Sequence, residues 1–444
     1  MTSESAEHDA SAALNGPLLD ISGHIVDVSA QAFRVAGLSP FVKLGDCVAC
    51  PGPDGDEIGE VVRIEETTLT VKPFANRFTR GVKAPARRIG PLTIAPAEGW
   101  KGRTVDAFGQ PCDGLGPLER GTDERATESM PPPALKRGRV KEPVKTNVKV
   151  IDIFTPLIKG QRIGVFAGSG VGKTTLMGML ARAKGFDTVV VALVGERGRE
   201  VREFLEETMS GDLANVVTVV ATGDESPMMR RLAPKTAVTI AEFFRDRGEH
   251  VLLIVDSVTR LAHAARDVAL AAGEPPVSRG YPPSVFSELP RLLERAGPGL
   301  EGSGTITGIF SVLVDGDDHN DPIADAIRGT LDGHIVLDRE IGEQGRFPAV
   351  DVLKSISRLA ELAWTPQERE LVTRLKSMIS RFEDTRDLRL LGGYQRGADG
   401  ALDQAVDLVP HIYSGLIQRP QDKLNGSPFD ELSRKLKQNI QAAA

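Results

Sequence analysis

The pattern of apolar and polar positions divides the chain into regions with different predicted secondary structure. From Leu18 to about Ile94, short runs rich in Val and Ile, such as HIVDV and EVVRIEETTLTVKPF, alternate with Gly, Pro and Asp turns. Short β-branched runs separated by such turns are typical of small barrels. The pattern therefore predicts an N-terminal β-barrel over residues 18–94, preceded by a disordered segment over residues 1–17.

The remaining chain alternates apolar strands with helices and then becomes helical. Residues 95–364 contain the runs RIGVF, TVVVALV, VVTVVA, VLLIVD, TITGIFSVLV and HIVLD, which are apolar on both faces and are typical of parallel strands covered by helices. Residues 365–444 contain helical patterns such as ERELVTRLKSMISRF and DQAVDLVPHIYSGLIQ. The predicted fold class is α/β, with a central domain of parallel strands and covering helices between a barrel and a C-terminal α-helical domain.

Composition and charge restrict the classes of function. The chain has 444 residues, 41% of them hydrophobic, and a formal net charge of −7, which argues against a dedicated nucleic-acid-binding protein. No apolar run reaches the length of a membrane span, and the start MTSESAEHDASAALNG lacks the basic and apolar parts of a signal peptide. We therefore expect a cytoplasmic protein.

Two minor patterns have competing interpretations. Cys47 and Cys50 form a C-x-x-C pair, but no second pair completes a zinc site, and we expect neither metal nor redox chemistry there. Residues 71–90 contain six basic residues and no acid, and a second basic run extends over residues 136–149. Each run is interpreted as a solvated loop, with a protein-docking or membrane-surface patch as the alternative.

The stretch VFAGSGVGKTTL nearly matches the phosphate-binding loop G-x-x-x-x-G-K-[ST], with Ala167 in place of the first glycine. In such a loop, backbone N–H groups surround the phosphates, the lysine reaches the β- and γ-phosphates, and the hydroxyl binds Mg²⁺. The stretch follows a β-type run and opens a helical pattern, which is the context that the motif requires. The predicted ATP-binding residues of the loop are Gly168, Ser169, Gly170, Val171, Gly172, Lys173, Thr174 and Thr175.

Acidic residues follow two of the predicted strands. The run VLLIVD ends in Asp256, the form of a Walker B acid that holds Mg²⁺ together with Thr174. The run TVVVALV leads directly into Gly195, Glu196 and Arg197. Because ligands of α/β sheets bind at the carboxyl ends of the strands, Glu196 is predicted to orient the water that attacks the γ-phosphate, with Arg197 positioning its carboxylate. A surface ion pair is the alternative.

Several of these stretches together resemble the type III secretion ATPases, particularly their flagellar branch, which are related to the catalytic β subunit of rotary ATP synthases. The resemblance rests on FAGSGVGKTT, VGERGREVREF, LLIVDSVTRLA, AAGEPPVSRGYPPSVFSELPRLLERAG, DPIADAIRGTLDGHIVLDR and FPAVDVLKSISR. The phosphate loop of this family reads AGSGVGK, so Ala167 agrees with it.

The resemblance implies a RecA-type P-loop ATPase core that uses ATP and Mg²⁺. It implies catalytic roles for Lys173, Glu196, Arg197 and Asp256, and it matches Phe347 to the aromatic residue that stacks on adenine. Arg358 matches the arginine finger that a neighbouring subunit supplies in a homohexameric ring. From the residues alone, Phe347 would be interpreted as a core residue and Arg358 as one of many surface arginines.

The resemblance also implies a function in protein export. The family's ring hydrolyses Mg-ATP to energise or prime export of flagellar proteins through a type III apparatus. The expected partners are a peripheral regulator, a central stalk, a membrane export gate, export substrates and their chaperones, with peripheral attachment at the inner face of the cytoplasmic membrane at the flagellar base.

Alternative functions make different demands on the sequence. A virulence-type secretion ATPase would differ only in its substrates, whereas a nucleic-acid translocase should carry stacking aromatics among basic residues of the barrel. Phe74 and Phe78 near Arg77 and Arg80 form the one such cluster in the sequence, and no nucleic-acid partner is expected. A non-catalytic nucleotide-binding scaffold should lack the carboxylate of Glu196, so catalysis is favoured.

Overall fold

The structure, a computed structural model, describes residues 21–209, 214–314, 321–422 and 426–443. The disordered segment predicted over residues 1–17 lies outside these ranges. Within them, none of the helices combines the length and the apolar character that a membrane span requires. The chain divides into two compact units: the first contains the described residues through Leu92 with Ser226–Met229 and Asp267–Pro275, and the second contains the other described residues.

The first unit is built around a closed, six-stranded antiparallel barrel, in the order β1-β2-β5-β4-β3-β6. Alternate positions of its strands point inward, and Phe33, Val35, Leu69 and Val71 are almost completely buried. Burial of one face explains the alternating sequence pattern and confirms the predicted barrel. The strands are β1 (Ser22–Val28), β2 (Phe33–Ala36), β3 (Cys47–Cys50), β4 (Glu57–Ile64), β5 (Thr68–Pro73) and β6 (Pro85–Gly90).

The cysteines and basic residues of the barrel have local structural surroundings. Cys47 and Cys50 are buried in β3, and burial raises the pKa of each thiol to about 12, which keeps both protonated and unreactive at neutral pH. Half of the basic residues in the run over residues 71–90 form ion pairs with barrel carboxylates, namely Arg80–Glu57, Arg87–Asp56 and Arg88–Asp46.

The second unit contains a nine-stranded sheet with a parallel centre, in the order β19-β18-β12-β17-β15-β13-β14-β8, with β16 paired to β17. Its central strands are buried on both faces, which accounts for their continuous apolar sequences and confirms the predicted α/β core. The strands of this sheet are β8 (Thr104–Val105), β12 (Arg162–Ala167), β13 (Thr188–Val194), β14 (Val216–Ala221), β15 (His250–Asp256), β16 (Gly297–Pro298), β17 (Thr305–Leu313), β18 (Gly333–Leu337) and β19 (Ile356–Ser357). Two small sheets pair β7 (Thr93–Ile94) with β9 (Arg125–Ala126) and β10 (Pro143–Val144) with β11 (Leu157–Ile158).

Helices connect the strands and then form the C-terminal region. Among the described residues they are α1 (Lys149–Phe154), α2 (Lys173–Ala181), α3 (Gly198–Met209), α4 (Pro227–Asp246), α5 (Val258–Ala271), α6 (Pro283–Leu293), α7 (Pro322–Thr330), α8 (Arg339–Glu343), α9 (Pro366–Asp384), α10 (Arg386–Leu390), α11 (Gly400–Leu416) and α12 (Pro428–Ala443).

The C-terminal helical region begins at a well-defined helix cap. The Thr365 hydroxyl accepts a hydrogen bond from the Glu368 N–H, and the Glu368 carboxylate accepts one from the Thr365 N–H. This capping box starts α9, with Pro366 at the first helical position. Apolar residues of α9, α11 and α12 join the same core cluster as β12 and β13. The helical region is therefore confirmed, whereas the domain boundary between residues 364 and 365 stays a prediction.

The parallel register brings the carboxyl ends of four strands together. Ala167 at the end of β12 pairs with Leu313 of β17, and Leu193 of β13 pairs with Asp256 of β15. Residues that follow these strands are therefore placed along one edge of the sheet.

Candidate active site

The phosphate loop connects β12 to α2. Ala167 is the last residue of β12 and is buried, so a methyl group at this position is compatible with the strand that precedes the turn. Positive φ angles, which strongly favour glycine, occur at Gly170 (80°) and Gly172 (88°). Of the loop glycines, these two adopt the left-handed conformation and Gly168 does not.

The outer side of the loop is open to a ligand. Ser169, Gly170, Thr174 and Thr175 are exposed, while Val171 packs inward. Because the loop opens α2, its backbone N–H groups and the helix dipole favour an anion at this position. An arginine that the sequence analysis missed, Arg339, donates to the Ser169 carbonyl oxygen at 3.2 Å and holds the loop from the side.

Lys173 lies between the two predicted acids. Its Nζ atom forms a short ion pair with Asp256 and lies 3.4 Å from Oε1 of Glu196, and all three side chains are nearly buried. Burying a charge costs free energy unless an opposite charge compensates it, and here the lysine compensates both carboxylates. The structure therefore brings Lys173, Glu196 and Asp256 together.

Glu196 has a second cationic partner, Arg260 in the first turn of α5. The guanidinium of Arg260 lies 3.1 Å from Oε2 of Glu196. Gly195 allows this approach, because a Cβ atom at Gly195 would lie 2.9 Å from Cδ of Arg260. Burial raises the pKa of Glu196, although Lys173 and Arg260 both oppose the rise. Arg260 was not predicted from the sequence, although its place four residues after Asp256, at a strand-to-helix turn, is a usable signal.

The structure corrects the prediction that Arg197 positions Glu196. The Arg197 side chain is 82% exposed and lies 3.9 Å from Glu200 on α3 rather than on the Glu196 carboxylate. The chain turns from β13 into α3 between Gly195 and Gly198, so Glu196 points into the site while its neighbour points to solvent. Arg260, rather than Arg197, contacts the Glu196 carboxylate.

Phe347 lies beside the phosphate loop rather than in the core. Its side chain is 46% exposed, and a Cβ atom at Gly172 would lie 3.6 Å from its ring. The Phe347 carbonyl accepts a hydrogen bond of 2.9 Å from the backbone N–H of Gln418, which follows α11. A cavity of about 280 Å³ lined in part by Phe347, Tyr413 and Ile417 adjoins the ring. An exposed aromatic face at this position is suited to stacking on a flat base.

The structure does not bring Arg358 to the phosphate loop of its own chain. Arg358 is exposed and directly follows β19, which pairs with the first residues of β18. The phosphate loop instead adjoins the other end of β18, because Ala167 pairs with Leu337. Arg358 is thus at the opposite end of this strand from the loop.

The donor set fits a magnesium nucleotide. The Thr174 hydroxyl at the start of α2 and the Asp256 carboxylate at the end of β15 are oxygen donors at the carboxyl edge of the sheet, where β17 separates β12 from β15. Mg²⁺ typically takes one or two protein oxygens and completes its shell with water and substrate phosphates. Two protein ligands beside an open phosphate loop meet this requirement.

Comparison with known proteins places the chain among nucleotide-binding families. The family described as ATP synthase alpha/beta family, nucleotide-binding domain, matches residues 147–357. The family described as T3SS EscN ATPase C-terminal domain matches residues 364–438.

Relatives match nearly the whole chain. The flagellum-specific ATP synthase of Rhizobium meliloti (strain 1021) is 57% identical over 94% of this chain and 89% of its own length. The type 3 secretion system ATPase of Xanthomonas euvesicatoria is 41% identical over 91% of both chains.

Solved structures agree in fold. The assembled ATPase EscN from the enteropathogenic E. coli type III secretion system superposes with a TM-score of 0.87 at 38% identity, over 93% of this chain and all of EscN. EscN in complex with its central stalk EscO gives a TM-score of 0.84 at 37% identity, over 94% of this chain and all of EscN.

Proposed function

The chain belongs to the family of flagellum-specific ATP synthases and type III secretion ATPases, and we propose that it hydrolyses Mg-ATP as a homohexameric ring that energises or primes flagellar protein export. One observation supports the chemistry above all others. Lys173 of the phosphate loop contacts both Glu196 and Asp256 at the carboxyl edge of the parallel sheet. A phosphate-binding lysine, a water-orienting acid and a metal-binding acid are the parts that ATP hydrolysis requires.

Each residue then has one task. Lys173 exchanges its carboxylate contacts for the β- and γ-phosphate oxygens of ATP, while Phe347 stacks on the adenine. Thr174 and Asp256 would hold Mg²⁺, which when bound neutralises phosphate charge and orients the phosphates. Glu196 accepts a hydrogen bond from the attacking water, and Arg260 fixes the direction of the Glu196 carboxylate.

Arg358 completes the site of a neighbouring subunit in this proposal. Arg358 is exposed at the end of β18 that is remote from its own phosphate loop. This position allows its side chain to reach the active site of a neighbouring chain. A guanidinium beside the γ-phosphate stabilises the negative charge of the transition state. The assembled state of EscN supports a ring for this chain as well.

A central stalk is the proposed partner for which a relative gives support. The complex of EscN with its central stalk supports a stalk partner for this chain. We extend the set to a peripheral regulator, a membrane export gate, export substrates and chaperones, in the cytoplasm at the inner face of the membrane. Identity of 57% to a flagellum-specific relative against 41% to a type 3 secretion relative favours flagellar over virulence substrates.

The proposal is tested by measuring ATP hydrolysis against protein concentration, with and without added RNA. A subunit that completes its neighbour's site should show specific activity that rises steeply with concentration, and RNA should have no effect. Full specific activity at concentrations where sedimentation shows only monomers would contradict a trans-acting Arg358, and stimulation by RNA would favour a nucleic-acid translocase.

A further inference from the structure

The buried hydroxyl of Ser311 contacts Asp256, the proposed metal-binding acid. Ser311 has no role in the function proposed above. Ser311 Oγ on β17 donates a hydrogen bond of 2.6 Å to Oδ1 of Asp256 on β15. The two strands are parallel neighbours, and pairing of Val255 with Phe310 places Asp256 next to Ser311. Ser311 is fully buried and Asp256 is 3% exposed, so water does not compete for this contact.

The hydrogen bond determines which oxygen of Asp256 is engaged. Lys173 Nζ contacts the same atom, Oδ1. Two donors on Oδ1 restrain rotation of the carboxylate and leave Oδ2 for Mg²⁺ or a water of its shell. When ATP binds and Lys173 moves to the phosphates, Ser311 still holds Oδ1.

Other hydroxyls of the same strand neighbourhood are satisfied by backbone groups. Thr307, four residues earlier on β17, accepts a hydrogen bond of 2.9 Å from the Gly160 N–H. Thr259 accepts a hydrogen bond of 2.8 Å from the Leu313 N–H. Ser311 differs because it donates to a side chain of the candidate site, within a run whose neighbours Phe310 and Val312 are apolar. A buried hydroxyl in such a run is costly unless it is hydrogen-bonded, and here the bond is made to a functional group.

We propose that Ser311 is a positioning residue that holds the Asp256 carboxylate in the orientation needed for the Mg²⁺-dependent part of nucleotide binding. This inference rests on the proposed ATPase function, and it adds Ser311 to the residues that support the active site. Ser311 is fully buried and its hydroxyl donates to Asp256, so we expect its effect to pass through Asp256. Its removal should therefore reduce the contribution of Mg²⁺ while leaving metal-free nucleotide binding unchanged.

The test compares the affinity of a fluorescent ATP analogue in EDTA with its affinity in Mg²⁺. For Ser311→Ala, we expect affinity in EDTA within about twofold of the unmodified protein and an enhancement by Mg²⁺ that falls about tenfold, the effect typical of losing a hydrogen bond to a charged group. Ser311→Thr keeps the hydroxyl and should retain the enhancement. Thr307→Val removes a buried hydroxyl of the same strand that faces the backbone, and it should change neither affinity.

The outcomes separate this inference from the proposed function. An unchanged Mg²⁺ enhancement in Ser311→Ala, or an equal loss of affinity in EDTA and in Mg²⁺, would overturn the inference while leaving the ATPase function intact. Failure of the unmodified protein to bind the analogue in Mg²⁺ would refute the function and the inference together. If circular dichroism shows that Ser311→Ala does not fold, Ser311→Cys, whose thiol is a weak donor, carries the same expectation.

Discussion

Removal of the Arg260 guanidinium should impair hydrolysis far more than nucleotide binding. Arg260→Ala deletes a positive charge 3.1 Å from Oε2 of Glu196, while Lys173 remains on the other side of the carboxylate. Two unit charges about 4 Å apart interact by about 4 kcal/mol at an effective dielectric constant of about 20. Because the Arg260 side chain is 28% exposed, solvent reduces the interaction, and we expect about 2 kcal/mol, or about a 30-fold loss of turnover near neutral pH.

The pH dependence gives a second readout of the same change. Burial raises the pKa of Glu196, and Arg260 is among the charges that lower it. The carboxylate must be ionised to orient water, so activity is present above its pKa and is lost as pH falls. Without Arg260 the pKa rises further, and the acid limb of the rate profile should move to higher pH.

The assay is steady-state hydrolysis from acidic to basic pH, together with binding of a fluorescent ATP analogue. Arg202→Ala is the matched control, because Arg202 forms an exposed ion pair of 2.7 Å with Glu206 on α3 and should change turnover less than about twofold. The turnover of Arg260→Lys should lie between those of Arg260→Ala and Arg202→Ala. A pH profile of Arg260→Ala that coincides with that of the unmodified protein would refute the role given to this arginine.

Further changes test the other residues of the site. Lys173→Ala should weaken nucleotide binding and abolish hydrolysis, whereas Asp256→Asn should keep part of the affinity and lose Mg²⁺-dependent turnover; substantial hydrolysis by either variant would contradict the proposed site. Glu196→Gln should bind ATP normally and hydrolyse it at least about 100-fold more slowly, and single-turnover kinetics near the normal rate would place the water-orienting role elsewhere. Phe347→Ala should raise KM for ATP more than it lowers kcat, and an unchanged KM would exclude adenine stacking. Arg358→Ala and Lys173→Ala, each inactive alone, should recover part of the activity when mixed, and mixed rings without recovery would contradict the action of Arg358 on a neighbouring subunit.

Motifs that directly follow a predicted strand could be located from the sequence. The phosphate loop, Glu196 and Asp256 each follow an apolar run, and parallel strands place whatever follows them along one edge. Knowledge of strand order is not required for that argument, because all parallel strands end at the same edge. The observed strand order, with β13 beside β15 and only β17 between β15 and β12, then brings the three close together at that edge.

Contacts that depend on strand order and on the geometry of turns could not be predicted. Ser311 reaches Asp256 only because β17 lies beside β15, and the apolar runs do not specify which strands are neighbours. The wrong prediction of a contact between Arg197 and Glu196 has a related cause. Adjacent residues at a strand-to-helix turn project in different directions, so proximity in sequence to Glu196 does not indicate contact, whereas Arg260 reaches Glu196 from another helix.

The position of Arg358 is the basis of the proposal that one chain alone is an incomplete catalyst. Charge stabilisation of the γ-phosphate needs a cation on the side opposite to the phosphate loop, because Lys173 and the loop already occupy the near side. Within the described residues, Arg260 is held by Glu196, and Arg339 is held at the Ser169 carbonyl. Arg358 lies at the end of β18 that faces away from its own loop, where it is exposed. In the proposed ring, hydrolysis at one site would depend on the position of the next subunit, which supplies Arg358. In that arrangement a partner that moves one subunit would alter the activity of its neighbour without touching the nucleotide.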